Sequence, residues 1–134
     1  MIALLLAPLI AAAPATPQAA IEAAMADSAA GWNTGDLDRF VAIYADDAVY
    51  VTTKGLVEGK AAIAARYRPG FANGGNVRGT LSFRMLGERK VDATHQLVFA
   101  QWSLASKMER ESGMTTLLFE RQRGRWRIVA DHSS

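Results

Sequence analysis

Cysteine is absent from all 134 residues, which excludes disulfides and thiol catalysis and removes the commonest structural zinc ligands. Histidine is nearly absent: the chain has only His95 and His132. No spaced set of carboxylates accompanies them, so the sequence carries no metal motif and implies no cofactor. An excess of one charge is also missing. The 15 basic and 13 acidic side chains leave a formal charge of +2, too little to point to nucleic acid. Glycine-rich phosphate loops and dinucleotide fingerprints do not occur. No lysine or arginine precedes Arg39.

What is present begins with an uncharged leader, "MIALLLAPLIAAAPATPQAA". An apolar run from Ile2 to Ala13, followed by small residues around Ala13-Pro14-Ala15, reads as a signal-peptide core with a cleavage site. It is too short and too broken by proline to span a membrane, which takes about 20 apolar residues. Residues 1–18 are therefore read as a signal peptide or disordered leader and 19–134 as one domain. The expected location is periplasmic or secreted, with the cytoplasm as the alternative.

The rest reads as alternating periodicities. Ile21, Met25, Ala29 and Trp32 form one helical stripe, Gly35 stops it, and Asp36 caps a second helix. Leu37, Phe40, Val41 and Tyr44 continue that second helix at i, i+3, i+4, i+7, with Asp46-Asp47 as turn and capping residues at its end. "AVYVTT" (48–53) is a strand turning at Lys54-Gly55, and "GKAAIAARY" (59–67) a third helix stopped by Pro69-Gly70. A loop over 71–79 precedes "TLSFRML", "ATHQLVFAQWSLA" and "MTTLLFERQ", and an Arg123-Gly124 turn returns into "RWRIVADHS". Three helices in the first half followed by a meander predict an α+β fold.

In this order, "WNTGDLDRFVAIYADDAVYV", "GLVEGKAAI" and the strands ending "GRWRIVADHSS" resemble the nuclear transport factor 2-like superfamily. Within it the chain is most similar to the SnoaL-like and ketosteroid-isomerase-like branch, over about residues 20–134. The resemblance implies a cone: a strongly curved, mostly antiparallel sheet wrapped around three helices, with a pocket at one end and frequent dimerisation. It implies little about chemistry, because function varies widely on this fold. The position matching the isomerases' carboxylate base is Thr52, their tyrosine donor matches Ser28, and their protonated aspartate falls at Leu117 or a neighbour. Thr52 is no base at neutral pH, so steroid isomerisation by that mechanism is not expected.

The resemblance also implies a pocket lined by Ser28, Trp32, Tyr50, Thr52, Tyr67, Phe83 and Trp102, aromatic and mostly apolar with a few hydroxyls. The strand period puts His132 with Trp126, Ile128 and Ala130 on the inward face, as a candidate acid or base. Asp131 and Ser133 fall on the opposite face with Arg127 and Val129, Asp131 pairing there with a surface arginine. Asp131-His132-Ser133 is therefore no hydrolytic triad, since neighbours on a straight strand cannot meet within hydrogen-bond reach. The arginines of "RQRGRWR" read as a solvated hairpin, and His95 as solvent-facing.

Three classes of function remain: a binder of a small apolar or amphipathic molecule, an enzyme of the same fold using His132 with Tyr50 or Tyr67, and an association module. Apolar residues on both faces of one strand, Leu97 and Phe99 against Val98 and Trp102, predict a homodimer through the outer sheet face.

Overall fold

The computed structural model describes residues 7–8, 15–72 and 78–134. The signal-peptide reading falls mainly outside these residues. Helix α1 spans Pro17–Asn33, opened by Thr16, whose side-chain oxygen accepts from the Ala19 amide at 3.2 Å, and by proline at the first turn. Gly35 (φ 72°) ends the connection, and the Asp36 carboxylate accepts from the Arg39 amide at 3.0 Å to start α2, Leu37–Val41. Gly31 is obligatory where these helices meet, because a Cβ there would overlap the Phe40 backbone nitrogen.

Strand β1 covers Tyr44–Thr52, β2 Gly55–Glu58, helix α3 Lys60–Phe71, β3 Thr80–Lys90, β4 His95–Ala105, β5 Arg110–Gln122 and β6 Arg125–Ser133. The strands form one sheet in the order β2-β1-β6-β5-β4-β3, antiparallel except for β1 against β6. The α+β class and the curved, mostly antiparallel sheet packed on three N-terminal-half helices agree with expectation. The β5–β6 turn falls at Arg123-Gly124, with φ of 51° and 77°.

Several features differ from the sequence reading, among them the added strand β2 and the earlier start of β5 at Arg110. Tyr44 opens β1 rather than closing α2, because it pairs with Ile128 of β6 and buries its ring; its helical spacing from Leu37 is coincidental. Asp46 and Asp47 lie exposed within β1, not at a helix end, and Asp46 faces Lys60 at 3.8 Å. Helix α3 runs through Pro69 to Phe71. A proline in the last turn forfeits one backbone bond, while continuing the helix carries Phe71 onto Trp32 and Phe40 at ring separations of 5.2 and 5.7 Å.

The core lies between the helices and the concave face. Ile21, Met25 and Trp32 of α1 meet Ile63 of α3 and Val98, Ala100, Leu117, Phe119 and Ile128 of the sheet. The pairing between β5 and β6 slips by one residue: Leu118 faces Ala130, but Phe119 faces Ile128, so Val129 is an extra residue in β6. A bulge of this kind reverses which face each later side chain takes.

Candidate functional site

That one-residue slip decides which end groups of β6 face inward. Trp126 and Ile128 point into the core, and beyond the bulge Asp131 and Ser133 do so while His132 is exposed. His132 pairs in register with Val51 and Thr116 on the outer face. The expectation of an inward histidine is thus corrected: strict alternation holds only along an unbroken ladder. So is that of a surface Asp131, which is 4% exposed.

Asp131 stands on the floor of a cavity of about 200 Å³. Its Oδ2 accepts from the Tyr44 hydroxyl at 2.6 Å, and its Oδ1 from the Ser133 hydroxyl at 2.6 Å, with Thr115 Oγ1 farther off at 3.4 Å. Ser133 Oγ also lies 2.8 Å from Thr115 Oγ1. One hydroxyl proton serves one acceptor, and the carboxylate is the stronger, so Thr115 supports Ser133 in a relay. Burial pushes the Asp131 carboxyl above its ordinary value, and the Ser133, Tyr44 and Thr115 hydroxyls work against that rise. Burial, followed by the Asp131 charge, also raises Tyr44 well above the normal phenol range, so Tyr44 remains a proton donor.

The walls are apolar and aromatic. Trp32, Phe40 and Tyr67 meet edge-to-face with ring centroids 4.9 to 6.1 Å apart. Tyr50 meets Tyr67 edge-to-face at 6.4 Å, and burial followed by that neighbour raises the Tyr67 hydroxyl. The Arg66 guanidinium lies 5.5 Å from the centre of the Tyr50 ring. At the mouth, Arg78 holds both carboxylate oxygens of Glu111 at 2.8 Å, and the Trp102 indole donates to the Ser134 carbonyl at 3.1 Å. The Trp102 ring lies against Gly113, where a Cβ would come within 2.7 Å of it.

Of the residues singled out from sequence, Ser28, Trp32, Tyr50, Tyr67, Phe83 and Trp102 converge on this cavity. Three of them have their polar atoms committed: Ser28 Oγ donates to the Phe40 carbonyl at 2.7 Å, Trp32 Nε1 to the Gly79 carbonyl at 2.9 Å, and Trp102 Nε1 to Ser134 as above. Thr52 does not line it. Its hydroxyl donates to the Gly55 carbonyl at 2.8 Å and accepts from the Lys54 amide at 3.1 Å, closing the β1–β2 turn. His132 is likewise not part of it. Sequence reasoning missed Tyr44, Thr115, Asp131 and Ser133. The available signal was the unbroken apolar run Ile128-Val129-Ala130, where an alternating pattern loses its phase.

His95 is partly buried rather than simply solvent-facing. Its ring nitrogens lie 2.9 Å from Asp92 Oδ1 and 2.9 Å from Glu120 Oε2. Asp92 first, and then Glu120, raise the imidazole above its ordinary value. Among the described residues no group of histidine or acidic side chains has the arrangement to hold a metal ion, and no helix is long and apolar enough to cross a membrane.

A family model for the SnoaL-like domain matches residues 21–134. No curated protein matches the chain. Among solved structures, an NTF-2 like protein of unknown function from Shewanella oneidensis superposes with a TM-score of 0.81 at 24% identity, over 89% of this chain and 99% of that one. A domain of unknown function with a cystatin-like fold from Nostoc punctiforme gives 0.73 at 21%, over 87% and 75%. A ketosteroid isomerase-like protein from Erwinia carotovora atroseptica gives 0.66 at 19%, over 87% and 93%. Built on the fold these structures share and matched by its family model over residues 21–134, the chain belongs to the SnoaL-like domain family.

Proposed function

We propose that this domain binds a small, largely apolar molecule of about one ring in the cavity under the sheet, with Asp131 as its polar anchor. The observation that carries this is a buried carboxylate on the floor of an aromatic-walled space of about 200 Å³. A cavity of about 150 Å³ accepts one benzene, so this one of about 200 Å³ suits a substituted ring. A purely structural core gains nothing by keeping an ionisable group beside open space, because burying its charge is costly. The test is an NMR titration of the intact protein with benzyl alcohol. Shifts confined to the amides around Tyr44, Leu117 and Asp131 are expected, and their absence overturns the reading.

A second reading, an enzyme of the same fold, is favoured by one observation. The Asp131 carboxyl is raised toward the range useful to a general base and lies beside the fixed donor Tyr44. In this version Asp131 replaces the histidine of the sequence-based hypothesis. Asp131→Asn abolishing turnover while preserving ligand affinity would support it.

Homodimerisation through the outer sheet face remains part of the proposal. Val49, Ala130, Leu118 and Leu97 stand side by side in register across four strands, with Val51 and Phe99 in the next row. A contiguous apolar face of this kind favours a second copy, and a sedimentation monomer at micromolar concentration would count against it. Export with loss of residues before about 19 rests on the uncharged leader and is checked by the intact mass of the mature protein.

A further inference from the structure

We infer that the cavity selects protonated amines, seating an ammonium against Asp131 and an apolar ring among the aromatic walls; this rests on the cavity being a binding site. The argument starts from unspent hydrogen-bonding capacity. An ionised carboxylate offers about four lone-pair positions. Asp131 uses one on Oδ2 for Tyr44 and one on Oδ1 for Ser133, both at 2.6 Å, with only the 3.4 Å approach of Thr115 besides. A position on Oδ2 stays open.

The second step is charge. Among the described residues, the ion pairs at 4.0 Å or less do not include Asp131. Among the described residues Arg78 is the one basic residue lining the cavity, and Glu111, also in the lining, engages its guanidinium with both oxygens at 2.8 Å. Arg78 and Glu111 cancel at the mouth, which leaves the interior with one uncompensated negative charge. Buried charges are paired in stable sites, and the partner missing from the protein is a cation. The hydroxyls of Tyr44 and Ser133 act as donors to Asp131, so this floor offers acceptors to a ligand and repels an anion. Trp32, Phe40, Tyr67 and Phe83 line the same cavity, and the face of an aromatic ring favours a cation.

Three probes of nearly equal size separate the possibilities on the full chain: benzylamine, benzyl alcohol and benzoate. At neutral pH, benzylamine is expected to bind about tenfold or more tightly than benzyl alcohol, the gain typical of one charge-assisted hydrogen bond, and benzoate not measurably. Asp131→Asn should bring benzylamine down to the level that benzyl alcohol shows in the same variant, and an unchanged near-UV circular dichroism spectrum reports that the aromatic walls are intact. Asp131→Ser serves as a second variant, and the wild-type ranking stands as a test without either. Benzyl alcohol binding as tightly as benzylamine overturns the inference while the cavity reading survives. An amine preference that persists in Asp131→Asn also overturns it, pointing to Glu111 instead. Failure of all three probes to bind removes both readings together.

Discussion

Asp92 and Asp131 are each held by three polar groups, yet their protons are set in opposite directions. Asp92 accepts from the Thr94 amide at 2.8 Å and contacts the Thr94 hydroxyl at 3.2 Å and His95 at 2.9 Å. Those contacts, the Thr94 amide first, bring its carboxyl down to about 2. Asp131 has two hydroxyl donors at 2.6 Å, shorter than any of these, and is nevertheless raised. The difference is water and a main-chain donor. The Asp92 side chain is 57% exposed beside an imidazole, whereas Asp131 is 4% exposed with neutral donors only. Short hydrogen bonds therefore do not offset burial here, and the inner carboxylate stays poised for a partner while the outer one is already satisfied.

The strongest way to break this comparison is to remove one donor from each cluster. Tyr44→Phe leaves Asp131 Oδ2 without its hydrogen bond in a buried site, a loss of about 1–3 kcal/mol, read by urea unfolding at neutral pH. Thr94→Ala at the exposed cluster should cost clearly less, because water replaces the hydroxyl. Equal losses would mean that burial is not what separates the two sites.

A smaller effect sharpens the contrast through pH. The folded value of His95 lies above its ordinary 6.5, so its contribution is complete below about 6.5 and fades as pH rises through the raised value. His95→Gln should flatten the melting profile in that window. Asp131 behaves unlike most carboxylates. Its folded value lies above 3.8, so the folded state binds more protons, and the cost of the buried charge is relieved as pH falls through the folded value toward 3.8. Asp131→Asn should remove that gain in acid. Both slopes have the same sign, stability falling as pH rises, but in separate windows, one above about 6.5 and one above about 3.8. Thermal melts check that each substitution flattens only its own window, and a slope that survives its own substitution would contradict the assignment.

Much of the fold was legible because it rests on local patterns. The alternation in "RWRIVADHS" after Arg123-Gly124 gave β6 its observed bounds, and the stripe of Ile21, Met25 and Trp32 gave α1 its buried face. The aromatic wall followed from these elements and from the family resemblance. The floor was not legible, because it depends on a single inserted residue. The apolar run Ile128-Val129-Ala130 marks where the alternation loses its phase, but it takes the partner strand, which sets Ala130 on Leu118 and Ile128 on Phe119, to fix the slip at Val129. The same kind of override moved Tyr44 out of α2, where pairing with β6 outweighed helical spacing. Local periodicity carries no information about pairing register, and here register placed the only buried acid among the described residues.

The smallest expected effect belongs to His132, and its sign tests which face the ring occupies. His132 is exposed on the outer face between Val51 and Thr116 in register, while its neighbour Asp131 points into the cavity. The backbone separates them, so no hydrogen bond links the two among the described residues. Only the imidazole's charge reaches the carboxyl, as the last and weakest influence, and it lowers Asp131. His132→Gln removes that influence and should raise the Asp131 titration slightly, seen in the carboxyl carbon shift, with stability changing within about 0.5 kcal/mol, as for most surface substitutions. Benzyl alcohol affinity should keep its wild-type value, since the probe never meets the ring. Any larger consequence should appear in self-association, because His132 stands among the apolar residues of the outer face. A fall in the Asp131 titration, or a loss of probe affinity with association unchanged, would return the histidine to the cavity and undo the bulge-based assignment of faces.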